Sequence, residues 1–186
     1  MNPQILAAAL LIMGGLVLAR RLPQLAAVDN AYNYLTVNLG QAIGAISSDQ
    51  DTMARTLYGE ARGQSRQQKE NVAAVIMNRY RMRKEGRGYP SWGPVGATIA
   101  QICTAPRQFS CWNPDDRNYP LCRAVDTRDP AFVECLEIAG DAISGRLVDR
   151  TGGADHYATL ITVPSWARNA AEVLRDGAHK FWRLVT

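Results

Sequence analysis

The segment Arg55-Thr-Leu-Tyr-Gly-Glu-Ala-Arg-Gly63 closes one amphipathic run and opens a turn, so it fixes where this chain must bend. Met53, Ala54, Leu57 and Tyr58 recur at the spacing of one helical face, which has to be buried. Gly63, Gln64 and Ser65 then read as a turn. Glu60 falls at the junction, on the end of a rigid element and beside a corner. A carboxylate placed there can be held firmly and still face a cleft. Partial burial at such a corner favours the protonated form of a carboxyl, the form a general acid needs. The plainer alternative is a solvated glutamate beside Arg62.

The following segments carry their own start and stop signals. Ser47, Ser48 and Asp49 offer N-caps for the helix that leads to Glu60. Ser65 caps a second helix, with Gln68 placed for a capping box. Val72, Val75, Ile76 and Tyr80 share one of its faces, and Gly86 or Gly88 ends it. The basic run from Arg79 to Lys84 reads as the solvated end of that helix, with a docking patch as the alternative. Residues 86–128 are rich in Gly, Pro and Trp and read as long loops around a short helix from Thr98 to Cys103. Long loops in a compact domain are usually functional. Asp129-Pro130 is an N-cap followed by proline at the first helical position. Phe132, Cys135, Leu136, Ala139 and Ile143 then form an apolar stripe, closed by Gly145. Tyr157 to Val163 is strand-like, Ser165 to Leu174 suits a short helix, and His179 to Val185 a terminal strand. The fold class is α+β, mainly helical, with a small β-sheet.

A chain of 186 residues suits one domain with an appendage. The natural division is an apolar N-terminal helix over 1–21, a connecting helix or linker over 22–50, and one domain over 51–186. A net charge of +4 favours an anionic partner. Zinc-finger spacing, a phosphate-binding glycine loop and an RNA-binding aromatic signature are all missing from the sequence, which argues against nucleic acid. Cys103, Cys111, Cys122 and Cys135 show no Cys-x-x-Cys spacing. Their even number in a short stretch predicts one or two disulfides in an oxidising compartment, with the pairing open.

Ile5 to Ala19 is an uncharged run of 15 residues followed by Arg20 and Arg21. That is short of the roughly 20 apolar residues of a membrane span. It lacks a charged leading region and a small-x-small cleavage site, so a cleaved signal peptide does not fit. A weakly hydrophobic anchor and a helix packed inside an assembly both fit, although Arg20 and Arg21 favour a cytoplasmic flank after the segment.

Six blocks in order carry a family resemblance: Tyr58 to Gly63, Val72 to Arg79, Gln108 to Trp112, Gly153 to Tyr157, Pro164 to Ala167 and Gly177 to Phe181. Together they resemble the SleB/CwlJ-like cell-wall hydrolase family over about residues 51–182. The resemblance does not extend to residues 1–47. It implies a lysozyme-like domain acting on peptidoglycan glycan strands, with Glu60 catalytic and no cofactor or metal. Tyr58, Asn78, Gln108, Ser110, Trp112, His156 and Tyr157 become candidates for shaping the cleft or binding substrate. The N-terminal segment is similar to the signal-arrest-release segments of some phage endolysins. That puts the protein on the periplasmic face of the inner membrane or in a phage particle, with residues 5–19 as the contact.

Two chemistries compete. Glycoside hydrolysis normally uses two carboxylates flanking the bond. A lytic transglycosylase can use one, because the sugar's own C6 hydroxyl replaces water. No second carboxylate stands beside Glu60 in a recognisable motif; Glu70, Asp51 and Asp155 are the spatial candidates. The resemblance therefore favours transglycosylation. A zinc-dependent N-acetylmuramoyl-L-alanine amidase would need His156, His179 and Glu60 as ligands. A wall-binding or structural phage component without activity is the third reading.

Overall fold

The computed structural model describes residues 47–168 and 170–185. The apolar segment 5–19 and the connecting stretch up to residue 46 lie outside them. The described elements are α1 (Ser48–Ala61), α2 (Arg66–Lys84), α3 (Ile99–Thr104), α4 (Tyr119–Ala124), α5 (Pro130–Ile143), β1 (His156–Thr159), β2 (Glu172–Asp176) and β3 (His179–Trp182). Single 3₁₀ turns occur at Pro90–Trp92, Ser110–Trp112 and Ser165–Ala167.

The caps form where the sequence places them. Ser47 accepts the N–H of Gln50 at 3.1 Å and starts α1. Ser65 and Gln68 complete a reciprocal capping box on α2. Asp129 accepts the N–H of Ala131 at 2.8 Å, with Pro130 at the first position of α5.

Helix α1 is the centre of the core. Met53, Ala54 and Leu57 are fully buried against α3 and α5, whose Ile102, Phe132, Ile138 and Ala139 close over them. Arg55 fastens α4 to this face. Its guanidinium donates to the carbonyls of Cys122, Arg123 and Val125 at 2.9, 3.0 and 3.1 Å, satisfying the free end of that short helix.

Helix α2 departs from its expected polarity. Arg79 and Arg83 continue the buried stripe of Val72, Val75 and Ile76, so the basic run is not simply a solvated helix end. Each guanidinium is satisfied inside. Arg79 Nε donates to the carbonyl of Asp155 at 2.6 Å, and the group lies over Trp92 and Phe109 at 5.1 and 5.2 Å. Arg83 donates to the carbonyls of Gly93 at 3.0 Å and Arg87 at 2.9 Å, pinning the loop that follows the helix.

The sheet is antiparallel in the order β1-β3-β2. The central strand β3 is buried throughout. Alternation puts Tyr157, His179 and Phe181 on one face and His156 and Trp182 on the other.

Several expectations are corrected. Ser165–Leu174 is not a helix; a 3₁₀ turn covers Ser165–Ala167 and β2 follows, paired to β3. The first strand ends at Thr159, where a turn begins, rather than at Val163. Ile143 is 39% exposed and falls off the core stripe. All four cysteines are free and fully buried, so the disulfides are not formed. They serve as small apolar core residues, and burial pushes Cys103 and Cys135 up to about 12.

Candidate active site

Glu60 sits one residue before the end of α1, where the helix stops at the turn beginning with Arg62. It is half-buried and opens on a cavity of about 430 Å³. Three donors hold the carboxylate. The main-chain N–H of Cys111 reaches Oε1 at 3.0 Å, and the Ser110 hydroxyl reaches the same oxygen at 3.3 Å. The Tyr157 hydroxyl donates to Oε2 at 2.9 Å. A 3₁₀ turn thus grips one oxygen and a strand the other.

The two grips differ chemically. An amide N–H can only donate, so Oε1 stays an acceptor in either protonation state. Hydroxyls rotate and can donate or accept. A proton on the carboxyl therefore belongs on Oε2, beside Tyr157. Burial and the neighbouring Glu60 charge push the Tyr157 phenol well above its ordinary value, so it stays protonated and available as a donor.

The cavity also takes Gln108 and His179 in its lining. Among the described residues Glu60 is its one carboxylate. The other carboxylates named from sequence are committed elsewhere. Glu70 pairs with Arg66 and Arg150, and Asp51 with Arg55. Asp155 is fully buried and accepts from the N–H groups of Leu184 and Val185 at 3.0 and 2.8 Å. Burial opposes its ionisation, but the bond to His156 and these amides outweigh that and hold it below the usual carboxylate range.

The cell wall hydrolase family model matches residues 63–182. This chain belongs to the cell wall hydrolase family. The fold is similar to the catalytic domain of the germination-specific lytic transglycosylase SleB from Bacillus anthracis. The two share 25% identity and a TM-score of 0.54, over 75% of this chain and 98% of that one. No curated protein matches the sequence. The family match begins just past Glu60, so the assignment of that residue rests on the cavity and its three donors.

In this cell wall hydrolase the other sequence candidates divide. Gln108, Ser110 and Tyr157 line the cavity with Glu60. Trp112, Asn78, His156 and Tyr58 are not among its lining residues. Trp112 donates its indole N–H to the buried Thr56 at 2.9 Å. Asn78 donates to Asp149 and to the carbonyl of Ala154, both at 2.9 Å, and shapes the turn before β1. His156 bonds Asp155 at 2.6 Å and packs against Trp166, Trp92 and Tyr89. Tyr58 donates to Asp129 at 2.7 Å and meets Phe132 edge-on.

His179 is the residue whose place the sequence understates. It is 6% exposed in the central strand, lines the cavity, and packs edge-on to Tyr157 at 5.2 Å. Its Nδ1 is buried with no hydrogen-bond partner among the described residues. Burial pulls its pKa below 6.5, against the raising influence of Glu60 and Asp176. It is therefore neutral around neutral pH. The amidase ligand set is not gathered: no group of three His, Cys, Asp or Glu side chains with metal-binding geometry occurs among the described residues.

Proposed function

We propose that this protein is a lytic transglycosylase that cuts the glycan strand of peptidoglycan, with Glu60 as the single acid and base. The observation that carries the reading is one held carboxylate, with no second one among the described residues lining its cavity. Hydrolysis through two carboxyl groups would need a partner within roughly 5–9.5 Å across the bond.

The geometry supports the following sequence. Protonated Glu60 gives the proton on Oε2 to the glycosidic oxygen, and the C1–O bond of the muramoyl residue breaks. The carboxylate left behind is steadied by the Cys111 N–H and the Ser110 and Tyr157 hydroxyls. It faces the positive charge of the oxocarbenium-like state. The C6 hydroxyl of the same sugar then attacks C1, and Glu60 takes that hydroxyl's proton. A 1,6-anhydro ring closes, no water is consumed, and the acid is regenerated. The similarity to the SleB catalytic domain supports the same outcome.

Glu60→Gln keeps the shape of the side chain and removes its proton. Clearing of purified wall suspensions by this variant should fall to background. Clearing at the wild-type rate would refute the role of Glu60.

The substrate supports action outside the cytoplasm, on the periplasmic face of the inner membrane or from a phage particle, with residues 5–19 as the tether. Fractionation of cells making the full chain, with and without residues 5–19, tests this. Membrane or particle association should depend on that segment, and association that survives its removal would contradict the tether.

A further inference from the structure

Most arginines outside the cavity have partners. Arg66, Arg128 and Arg175, for example, pair with carboxylates, and Arg83 is buried on carbonyl oxygens. Arg107 and Arg117 differ. Both are exposed, both line the Glu60 cavity, and neither has a hydrogen-bond or ion-pair partner among the described residues. Arg79 lines the same cavity from below and stays charged at neutral pH, since burial lowers it only to about 10.

Arg107 has a second peculiarity. Its φ is +62°, the one positive value at a non-glycine among the described residues. Left-handed backbone is strained at such a residue and persists where the surroundings fix it. Here the neighbouring Gln108 does so, its N–H bonding the carbonyl of Ala105 at 3.1 Å and its side chain accepting from Arg79 at 3.5 Å. A fixed loop therefore presents a cation at the cavity that holds Glu60.

The lining thus carries three guanidinium groups against one carboxylate that already accepts from three donors. A neutral amino-sugar strand offers these cations hydroxyl and carbonyl acceptors but no charge to pair with. Of the two sugars in wall glycan, muramic acid alone bears an acid, on its 3-O-lactyl arm. That carboxyl is either free or extended into the acidic stem peptide. Guanidinium groups recognise carboxylates through paired N–H donors.

We infer that Arg107 and Arg117 form a carboxylate subsite that reads the acidic side arm of muramic acid and sets which sugar sits beside Glu60. The inference rests on the proposed substrate and names the residues that recognise the muramoyl sugar by its acid.

The test measures binding of fluorescent strands to the full-length Glu60→Gln protein, with and without Arg107→Ala and Arg117→Ala together. Three strands are compared: peptide-bearing, stripped of peptide with the lactyl acid free, and stripped with that acid capped as a neutral amide. The double substitution should weaken binding to acidic strands about tenfold, as expected for loss of two exposed charge-assisted contacts, and leave the capped strand unchanged. Raising the salt should shrink the difference. A loss confined to the peptide-bearing strand assigns the subsite to the stem peptide, and a loss on both acidic strands assigns it to the lactyl arm. Equal losses on all three strands, or none on any, would overturn the inference. Binding is read without cleavage, so a wild-type protein that releases no anhydro ends would refute the activity and leave this subsite standing.

Discussion

Gly59 leaves the space that Cys111 occupies: a Cβ on Gly59 would collide with the Cys111 Cβ and lie 2.8 Å from its sulfur. The contact is one residue before Glu60. It lets the Ser110–Trp112 turn lie against α1 closely enough for the Cys111 N–H to reach the carboxylate at 3.0 Å.

Gly59→Ala sets two effects against each other. Alanine favours a helix over glycine by about 1 kcal/mol. Overpacking against a fixed neighbour costs about 1–3 kcal/mol, and here the neighbour's Cβ is tied to its own backbone. The clash should win, lowering Tm by a few degrees. Wall clearing should fall further than the loss of folded protein explains, because the turn that holds Glu60 moves. Unchanged Tm and clearing would show that the close approach does not matter.

Tyr157→Phe removes the donor on Oε2 and leaves the ring in place. A hydrogen bond to a charged group is worth roughly 1.5–3 kcal/mol, so kcat should fall about tenfold to a hundredfold. KM should change little, since the hydroxyl acts on Glu60. Initial rates on soluble glycan strands separate the two constants. A rise in KM at constant kcat would make Tyr157 a binding residue.

His179 makes stability depend on pH. Its folded pKa lies below the unfolded 6.5, so the unfolded chain binds more protons between the two values. Stability is fully present above about 6.5 and is lost as pH falls from there through the folded pKa. Thermal unfolding of the wild type across this window should show the decline. His179→Phe should flatten that part of the curve, because it removes both the titration and the unpartnered Nδ1. The same slope in both proteins would place the titrating group elsewhere.

The four thiols give a direct test of the corrected cysteine assignment. Burial disfavours every thiolate, and Cys111 is pushed higher still, first by burial and then by the Glu60 charge. A thiol reagent should find no reactive group in the native protein and four after denaturation without reductant. Fewer than four would reveal a disulfide.

Arg79→Ala should cost about 3 kcal/mol or more. It leaves the Asp155 carbonyl without its donor and opens a cavity between Trp92 and Phe109. Urea unfolding measures this, and a loss below about 1 kcal/mol would mean the site relaxes around the gap.

Local chemistry was the legible part of this chain. Ser65 with Gln68, Asp129 with Pro130, and Glu60 at its corner all follow from residues within one helical turn. The β2 strand was hidden because its pairing with β3 is a tertiary contact, and Glu172–Asp176 has no alternation strong enough to announce it. Arg79 and Arg83 were legible in principle, since they continue the spacing of Val72, Val75 and Ile76. Their charge masked a buried position that Asp155 and Gly93 make tolerable. The family blocks mix chemistry with packing. Ser110 and Tyr157 reach Glu60, whereas Trp112 and His156 bond their own neighbours. Spacing alone does not separate these roles. Arg107 and Arg117 come from loops whose course no short-range rule supplies.

Transglycosylation at Glu60 leaves a defined product, and mass spectrometry of the muropeptides released from purified walls reads it directly. The wild type should release glycan ends carrying 1,6-anhydromuramic acid, and Glu60→Gln should release none. Reducing sugar ends, or free stem peptides from an intact strand, would contradict it.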